Sequence, residues 1–378
     1  MSAKLLSSNK NLQLQTTNKN KHMRFLISGG GTGGHIFPAV SIANAIRKAQ
    51  PDAEILFIGA LGRMEMEKVP AEGYKIIGLP VRGFIRPLFH PGNISVLLDL
   101  YKSIRKAKQI IKDFKPDAAV GVGGYASAAA LKAAASLGVP YILQEQNGFA
   151  GVTNQKLAFN AQKICVAYPG MERFFPADRI VMTGNPVRQS LLECTATVEE
   201  ARETFGLDPD MPTIFVTGGS LGARSVNNAI ATGIKEFEEA GVQVLWQTGK
   251  ADGDKWEIAV RNADAKHVHP TVFVSDMAKA YRAADIIVSR SGAGAVNEAC
   301  LLGKAAIFVP LPTAAEDHQT ANARSLAVRD AAILIPDNEA PAKLVKEAIA
   351  LVNDKARIAR FESNAKAMGK FDAADTIA

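Results

Sequence analysis

Short apolar runs recur along the chain from Arg24 onward, separated by stretches of helical periodicity. The first series lies at residues 25–28, 55–58, 118–122, 141–143, 164–167 and 180–183. A second follows at 213–217, 242–247, 272–274, 286–289, 306–309 and 332–335. These runs are rich in Val and Ile and mostly lack polar alternation. Such segments suit strands buried on both faces of a parallel sheet, with helices as the crossovers. Regular alternation of the two predicts an α/β fold.

One arrangement occurs twice. Phe25-Leu26-Ile27-Ser28 runs into Gly29-Gly30-Gly31-Thr32-Gly33-Gly34 and then into a helical pattern. Ile214-Phe215-Val216-Thr217 runs into Gly218-Gly219-Ser220-Leu221-Gly222-Ala223 in the same way. Two starts of a doubly wound parallel sheet predict two Rossmann-like domains facing across a cleft. Gly and Pro punctuate the joint between them, at Thr183-Gly184-Asn185-Pro186-Val187-Arg188.

Glycine loops of this kind let the backbone approach an oxygen-rich anion, and the helix that follows offers unpaired N–H groups. Gly121-Val122-Gly123-Gly124-Tyr125 and Ser291-Gly292-Ala293-Gly294-Ala295 add two more, each after a strand. Several such loops at the same end of two sheets point to a cleft for diphosphates. A dinucleotide site would need an acid after the second strand, yet that strand ends at Gly59-Ala60 and Glu54 precedes it. A Walker loop fails as well, because His35 stands where Lys is required.

At 378 residues the chain has room for two domains. No run reaches the roughly 20 apolar residues that span a bilayer, and the net charge of +7 favours an anionic partner. Residues 1–22 are polar and rich in Asn, Lys and Gln, and read as a disordered leader. Cys165, Cys194 and Cys300 are odd in number and far apart, which suits a reducing cytoplasm better than a disulfide framework. His267-x-His269 lacks a third ligand nearby, so no metal is expected.

Taken together, Gly30-Gly31-Thr32-Gly33-Gly34-His35 with Pro38-Ala39, Gln144-Glu145-Gln146-Asn147-Gly148, Gly184-Asn185-Pro186-Val187-Arg188, Gly218-Gly219-Ser220-x-Gly222-Ala223-Arg224, and Arg290-Ser291-Gly292-Ala293 ahead of Glu298 resemble the MurG family. The resemblance runs from about residue 23 to the end of the chain, in the family's order and spacing. It departs at Ala128-Ala129, where Gly-Pro is frequent, and at Leu221, where Gln is frequent. It implies a GT-B fold and an inverting transfer of GlcNAc from UDP-GlcNAc to the muramyl 4-hydroxyl of lipid I. The product would be lipid II, for peptidoglycan synthesis, made at the cytoplasmic face of the inner membrane without metal or cofactor. By this reading residues 23–186 form the acceptor and membrane domain and 187–355 the UDP-GlcNAc domain. Residues 356–378 form a helix returning to the N-terminal domain. A UDP-GlcNAc 2-epimerase or a non-catalytic UDP-sugar binder would share the architecture.

On the donor side the resemblance implies that Ser220, at the expected start of a helix, and the turn Ala293, Gly294 and Ala295 hold the diphosphate. Glu298 would accept the ribose hydroxyls. Arg188 and the backbone of Val274 would frame uracil. Gln319 and Asn322, three apart on one helix face, would offer neutral amides to the sugar, with Thr32, Gly33, Gly34 and Asn147 reaching in from the other domain. On the acceptor side stand Gly31, Gly123, Gly124 and Tyr125. His35, at a helix N-terminus that favours its neutral form, is a candidate base, or else a donor to the acceptor's diphosphate. Glu145 is the rival base. Phe84, Ile85, Leu88 and Phe89, beside Arg82 and Arg86 and ahead of a helix carrying Lys102, Arg105, Lys106, Lys108, Lys112 and Lys115, suit an anionic bilayer surface. No nucleic-acid module accompanies this charge.

Overall fold

The computed structural model describes residues 22–83, 89–187 and 189–378. The stretch ahead of His22, the predicted membrane residues Phe84, Ile85 and Leu88, and Arg188 lie outside the described residues.

Two parallel sheets organise the chain. The first contains β1 (Arg24–Ser28), β2 (Glu54–Ala60), β3 (Lys75–Leu79), β4 (Ala118–Gly121), β5 (Tyr141–Glu145), β6 (Ile164–Val166) and β7 (Ile180–Met182), in the order β3-β2-β1-β4-β5-β6-β7. The second contains β8 (Thr213–Thr217), β9 (Gln243–Gln247), β10 (Val268–Thr271), β11 (Ile286–Ser289), β12 (Ala305–Phe308) and β13 (Ile333–Leu334), in the order β10-β9-β8-β11-β12-β13. Strand order reverses between β1 and β4 and again between β8 and β11, and ligands of doubly wound sheets bind at such reversals. Both glycine-rich repeats seen in the sequence emerge there.

Helices cover both faces of each sheet, so central strands such as β8 bury every residue. The helix Gly33–Ala49 lays Ile36, Ala39, Val40, Ile42 and Ala43 against one face of the first sheet. On the other face, Ala129, Ala130, Ala133 and Ala134 of the helix Tyr125–Ser136 let it approach the helix Asn93–Phe114 closely. In the second domain Trp246 is fully buried, with its indole N–H donating to Asn227 Oδ1 at 3.0 Å. Truncating a buried Trp to Ala typically costs about 3–5 kcal/mol, so Trp246 is a principal anchor of that core.

Two strands depart from the sequence pattern. β3, Lys-Ile-Ile-Gly-Leu, is a strand that the apolar runs did not reveal. β10 is Val-His-Pro-Thr at 268–271, not the run at 272–274. It lies at the sheet edge, where the N–H that Pro270 lacks is not needed by a second neighbour.

Near its end the chain changes domain. The helix Lys355–Met368 packs on the helix Ala293–Leu302 and on β12. Beyond Gly369, the helix Ala373–Ile377 lies against Gly33–Ala49, and Ile377 joins the first domain's core. Lys48 and Asp375 pair there at 3.4 Å.

Candidate active site

β1 delivers the chain into the first glycine loop, and the helix Gly33–Ala49 begins at once. Thr32 occupies the N-cap in extended geometry, but its hydroxyl meets His35 Nδ1 at 3.2 Å instead of capping the helix. With no acid in the first turn, the positive end of this helix faces outward. Gly31 adopts φ +89°, a conformation costly for other residues. Its N–H donates to Glu65 Oε2 at 2.9 Å, so this amide, expected on the acceptor side, is already engaged within the protein.

The second loop, after β4, packs backbone to backbone on the first. A Cβ on Gly124 would stand 2.6 Å from the Gly30 carbonyl oxygen, and one on Gly123 would stand 2.9 Å from His35 Nε2. Glycine at these positions therefore lets the imidazole rest against the second loop. Tyr125 opens the next helix and is exposed, its ring beside Gly83. Burial pushes the His35 pKa down from its ordinary value. The Gly30 carbonyl pulls it up, His318 across the cleft pushes it down, and Glu65 pulls it up.

Glu145 ends β5 and is 2% exposed. Its carboxylate accepts from Asn147 N at 3.1 Å, Asn147 Nδ2 at 3.2 Å, Gly151 N at 3.0 Å and Asn154 Nδ2 at 2.9 Å. Burial raises its pKa, and these four donors pull it back. All four belong to the segment 147–154, so Glu145 organises its own loop. Around it, Gln144 Nε2 donates to Asn185 Oδ1 at 2.9 Å, Gln146 Nε2 to Val122 O at 2.8 Å, and Asn185 Nδ2 to Gln146 O at 2.8 Å. The β5 tip, the second loop and the interdomain joint are thereby wired together.

In the second domain Gly219 and Gly222 take φ +81° and +85° after β8. The helix that follows starts at Arg224, so Ser220 lies in the preceding turn, not at a helix start as expected. Its side is exposed, and its carbonyl accepts from Lys250 N at 3.2 Å. After β11 the chain turns through Arg290-Ser291-Gly292 into the helix Ala293–Leu302, placing Ala293, Gly294 and Ala295 in the first turn, again without an acid. Arg290 fixes this turn by donating to Val309 O at 3.1 Å, Pro310 O at 3.0 Å and Ser225 Oγ at 2.9 Å. One turn further, Glu298 Oε2 accepts from the buried Tyr281 hydroxyl at 2.8 Å. Val274 is buried, and its N–H donates to Gln247 Oε1 at 2.9 Å. A base pairing with this N–H would have to displace Gln247.

The two domains meet over these loops. Asn322 Nδ2 donates to Asn147 Oδ1 and to Ser291 O, both at 3.2 Å, while its Oδ1 accepts from Gly148 N at 2.9 Å. Gln319, one turn earlier on the same helix, accepts from Leu311 N at 2.9 Å through Oε1 and from Ser291 Oγ at 2.9 Å through its carbonyl. Asn297 Nδ2 donates to Asn185 O at 2.9 Å. Asn147 and Gly148 of the first domain thus meet Asn322 of the second, which also ties to the turn at Ser291. His35, bonded to Thr32, lies within electrostatic reach of His318 on the helix that carries Gln319 and Asn322. Sequence reasoning did not single out Glu65, Tyr281, Gln247 or Asn154, each of which holds a predicted site residue in place. Glu65 and Asn154 sit outside the glycine motifs, and only the fold brings them beneath the loops.

Paired parallel sheets, tip to tip, with glycine loops at their carboxyl edges define the GT-B class of glycosyltransferase architecture. Residues 25–166 match the glycosyltransferase family 28 N-terminal domain, and 213–377 match the glycosyltransferase family 28 C-terminal domain. A relative from Phocaeicola vulgatus, the UDP-N-acetylglucosamine–N-acetylmuramyl-(pentapeptide) pyrophosphoryl-undecaprenol N-acetylglucosamine transferase, is 53% identical over 95% of both chains. The crystal structure of Acinetobacter baumannii MurG superposes with TM-score 0.73 at 28% identity, covering 94% of this chain and 98% of that one. The chain belongs to this MurG family of glycosyltransferases. UDP-GlcNAc 2-epimerase from Neisseria meningitidis shares the fold, with TM-score 0.67 and 16% identity over 94% of this chain and 98% of that chain.

Proposed function

We propose that the chain transfers GlcNAc from UDP-GlcNAc to the 4-hydroxyl of the muramyl sugar of lipid I, giving lipid II with inversion at the anomeric carbon. The observation that carries this reading is the seam itself. Asn322 of the second domain meets Asn147 and Gly148 of the first beside the turn at Ser291. His318 of the second domain acts on the half-buried His35 imidazole, whose pKa is lowered.

In this reading His35 takes the proton as the acceptor oxygen attacks the anomeric carbon. The bond to UDP breaks with its electron pair leaving on the diphosphate. The first-turn amides at Ala293, Gly294 and Ala295 and the loop carrying Ser220 stabilise that charge. Glu298, held by Tyr281, accepts from the ribose, and Gln319 and Asn322 read the sugar. We assign the amides of Thr32, Gly33 and Gly34, expected on the donor side, to the acceptor's diphosphate instead, because they share the first domain's loop with His35. The loop at Gly123 and Gly124 joins them, with Tyr125 at the rim. Glu145 serves as a loop organiser, because its oxygens are occupied by four donors.

The acceptor is lipid-linked, so we place the enzyme peripherally on an anionic membrane face. Phe89 is 98% exposed. Beside it, Ile94, Leu97, Leu98 and Tyr101 are exposed at helical spacing along Asn93–Phe114, whose opposite face buries Val96, Ala107, Ile110 and Ile111. Exposed Lys102 and Arg105 follow on the same helix, whereas Lys106 is anchored to Gly78 O at 2.8 Å. Apolar tips beside cations suit an anionic interface. Among the described residues no helix is long and apolar enough to cross a membrane.

The test mixes labelled UDP-GlcNAc with a short-chain lipid I analogue. Appearance of the disaccharide-linked lipid and UDP is expected. Release of an epimerised UDP-sugar without acceptor, or binding without turnover, would overturn the reading.

A further inference from the structure

Glu65 is the one acid of the first domain that lies fully buried at the base of the first glycine loop, 0% exposed. It belongs to the short helix Glu65–Ala71 after β2, outside every glycine motif. Its two oxygens serve two elements: Oε2 accepts from Gly31 N at 2.9 Å and Oε1 from Ala60 N at 3.0 Å. Space around it is made by glycine. A Cβ on Gly30 would overlap its carboxyl group, and one on Gly59 would stand 2.7 Å from its Cγ. Burying a carboxylate is costly unless hydrogen bonds repay it, so the placement is specific. Its contacts are with the loop that carries Thr32 and His35.

We propose that Glu65 is a positioning residue for glycosyl transfer: by pinning Gly31 to the tip of β2, it sets the first loop so that Thr32, Gly33, Gly34 and His35 face the acceptor. This rests on the reading of that loop as the acceptor side. The carboxylate takes the Gly31 amide out of the set available to substrate and turns the next residues outward. It also places a negative charge behind His35. The charged or titratable groups bearing on that imidazole are Glu65 on its inner side and His318 across the cleft.

Two variants separate geometry from charge. Glu65→Gln keeps the shape but sets an NH2 against a backbone N–H and removes the charge. It is expected to lower kcat/KM for the acceptor at least tenfold, to leave the Kd for UDP within twofold, and to move the acid limb of the pH profile to lower pH. Gly30→Ala pushes the carboxylate aside while retaining its charge, so the same acceptor loss should occur with the acid limb in place. Wild-type acceptor kinetics in Glu65→Gln would overturn the proposal. So would a matching loss of UDP affinity, which would mean general disruption. His35→Ala measured alongside distinguishes the underlying reading: if it too has wild-type acceptor kinetics, the assignment of the loop fails, whereas a loss in His35→Ala alone refutes only Glu65.

Discussion

Asn322 of the second domain and Asn147 of the first share a hydrogen bond of 3.2 Å across the interdomain gap. The same Asn322 side chain receives Gly148 N–H at 2.9 Å, so a single amide joins the two domains over the site. Asn322→Ala takes the acceptor from the Gly148 N–H and the donor from Asn147 Oδ1, at about 1–3 kcal/mol. The closed arrangement should lose population, raising the UDP-GlcNAc KM on the order of tenfold and enlarging the radius seen by solution scattering. An unchanged KM with an unchanged radius would refute the link between this contact and closure.

The acid limb of kcat/KM should report His35. Burial depresses its pKa, so the neutral, proton-accepting form persists below the ordinary imidazole value of 6.5. Activity is therefore expected to rise with pH through a midpoint below 6.5 and to be flat above it. His35→Ala should lower kcat by roughly 10²–10⁴ and leave UDP binding intact. A midpoint above 6.5 counts against His35 as the base.

Tyr281 holds Glu298 through one hydrogen bond, worth about 0.5–1.5 kcal/mol. Tyr281→Phe should weaken donor binding a few-fold with little change in kcat, and Glu298→Ala should weaken it further. Isothermal titration with UDP gives both values, and equal affinity for the three proteins would remove the ribose contact.

Leu97 and Leu98 are exposed neighbours on the apolar face of the helix Asn93–Phe114. The Leu97→Glu, Leu98→Glu pair should abolish sedimentation with anionic vesicles while sparing turnover of a water-soluble acceptor. Retained sedimentation would place the membrane surface elsewhere.

Burial pushes the Cys165 thiol up to about 11 and the Cys300 thiol up to about 12. Thiolate is the reactive form, so both should resist a thiol reagent at pH 8 until the protein unfolds. Cys194, which is half-buried, should label first. Rapid labelling of all three in the native protein would contradict this.

The fold was legible where the chain repeats itself. Doubly buried strands leave unbroken apolar runs, and β1 and β8 each end in glycines that backbone approach demands. β3 escaped because Lys75 and Gly78 interrupt a short run, and β10 because Pro270 disguises an edge strand. Of the motif residues, Asn147 and Gly148 meet Asn322 across the seam. What sequence could not reveal is which of their groups the protein itself consumes. The Gly31 and Val274 amides and the Glu145 oxygens look available in one dimension, yet each is claimed by a partner brought by folding. Those partners, Glu65, Gln247 and Asn154, belong to no recognisable pattern.

The polypeptide passes between domains around Gly184 and again around Lys370, and the two passages touch: a Cβ on Gly184 would overlap the Lys370 side chain. The second domain is thus suspended by both its ends from a single fulcrum. Any swing of that half would displace atoms least at Gly184 and most at the far rim, without bending either sheet. A side chain grafted at position 184 would wedge the pivot itself.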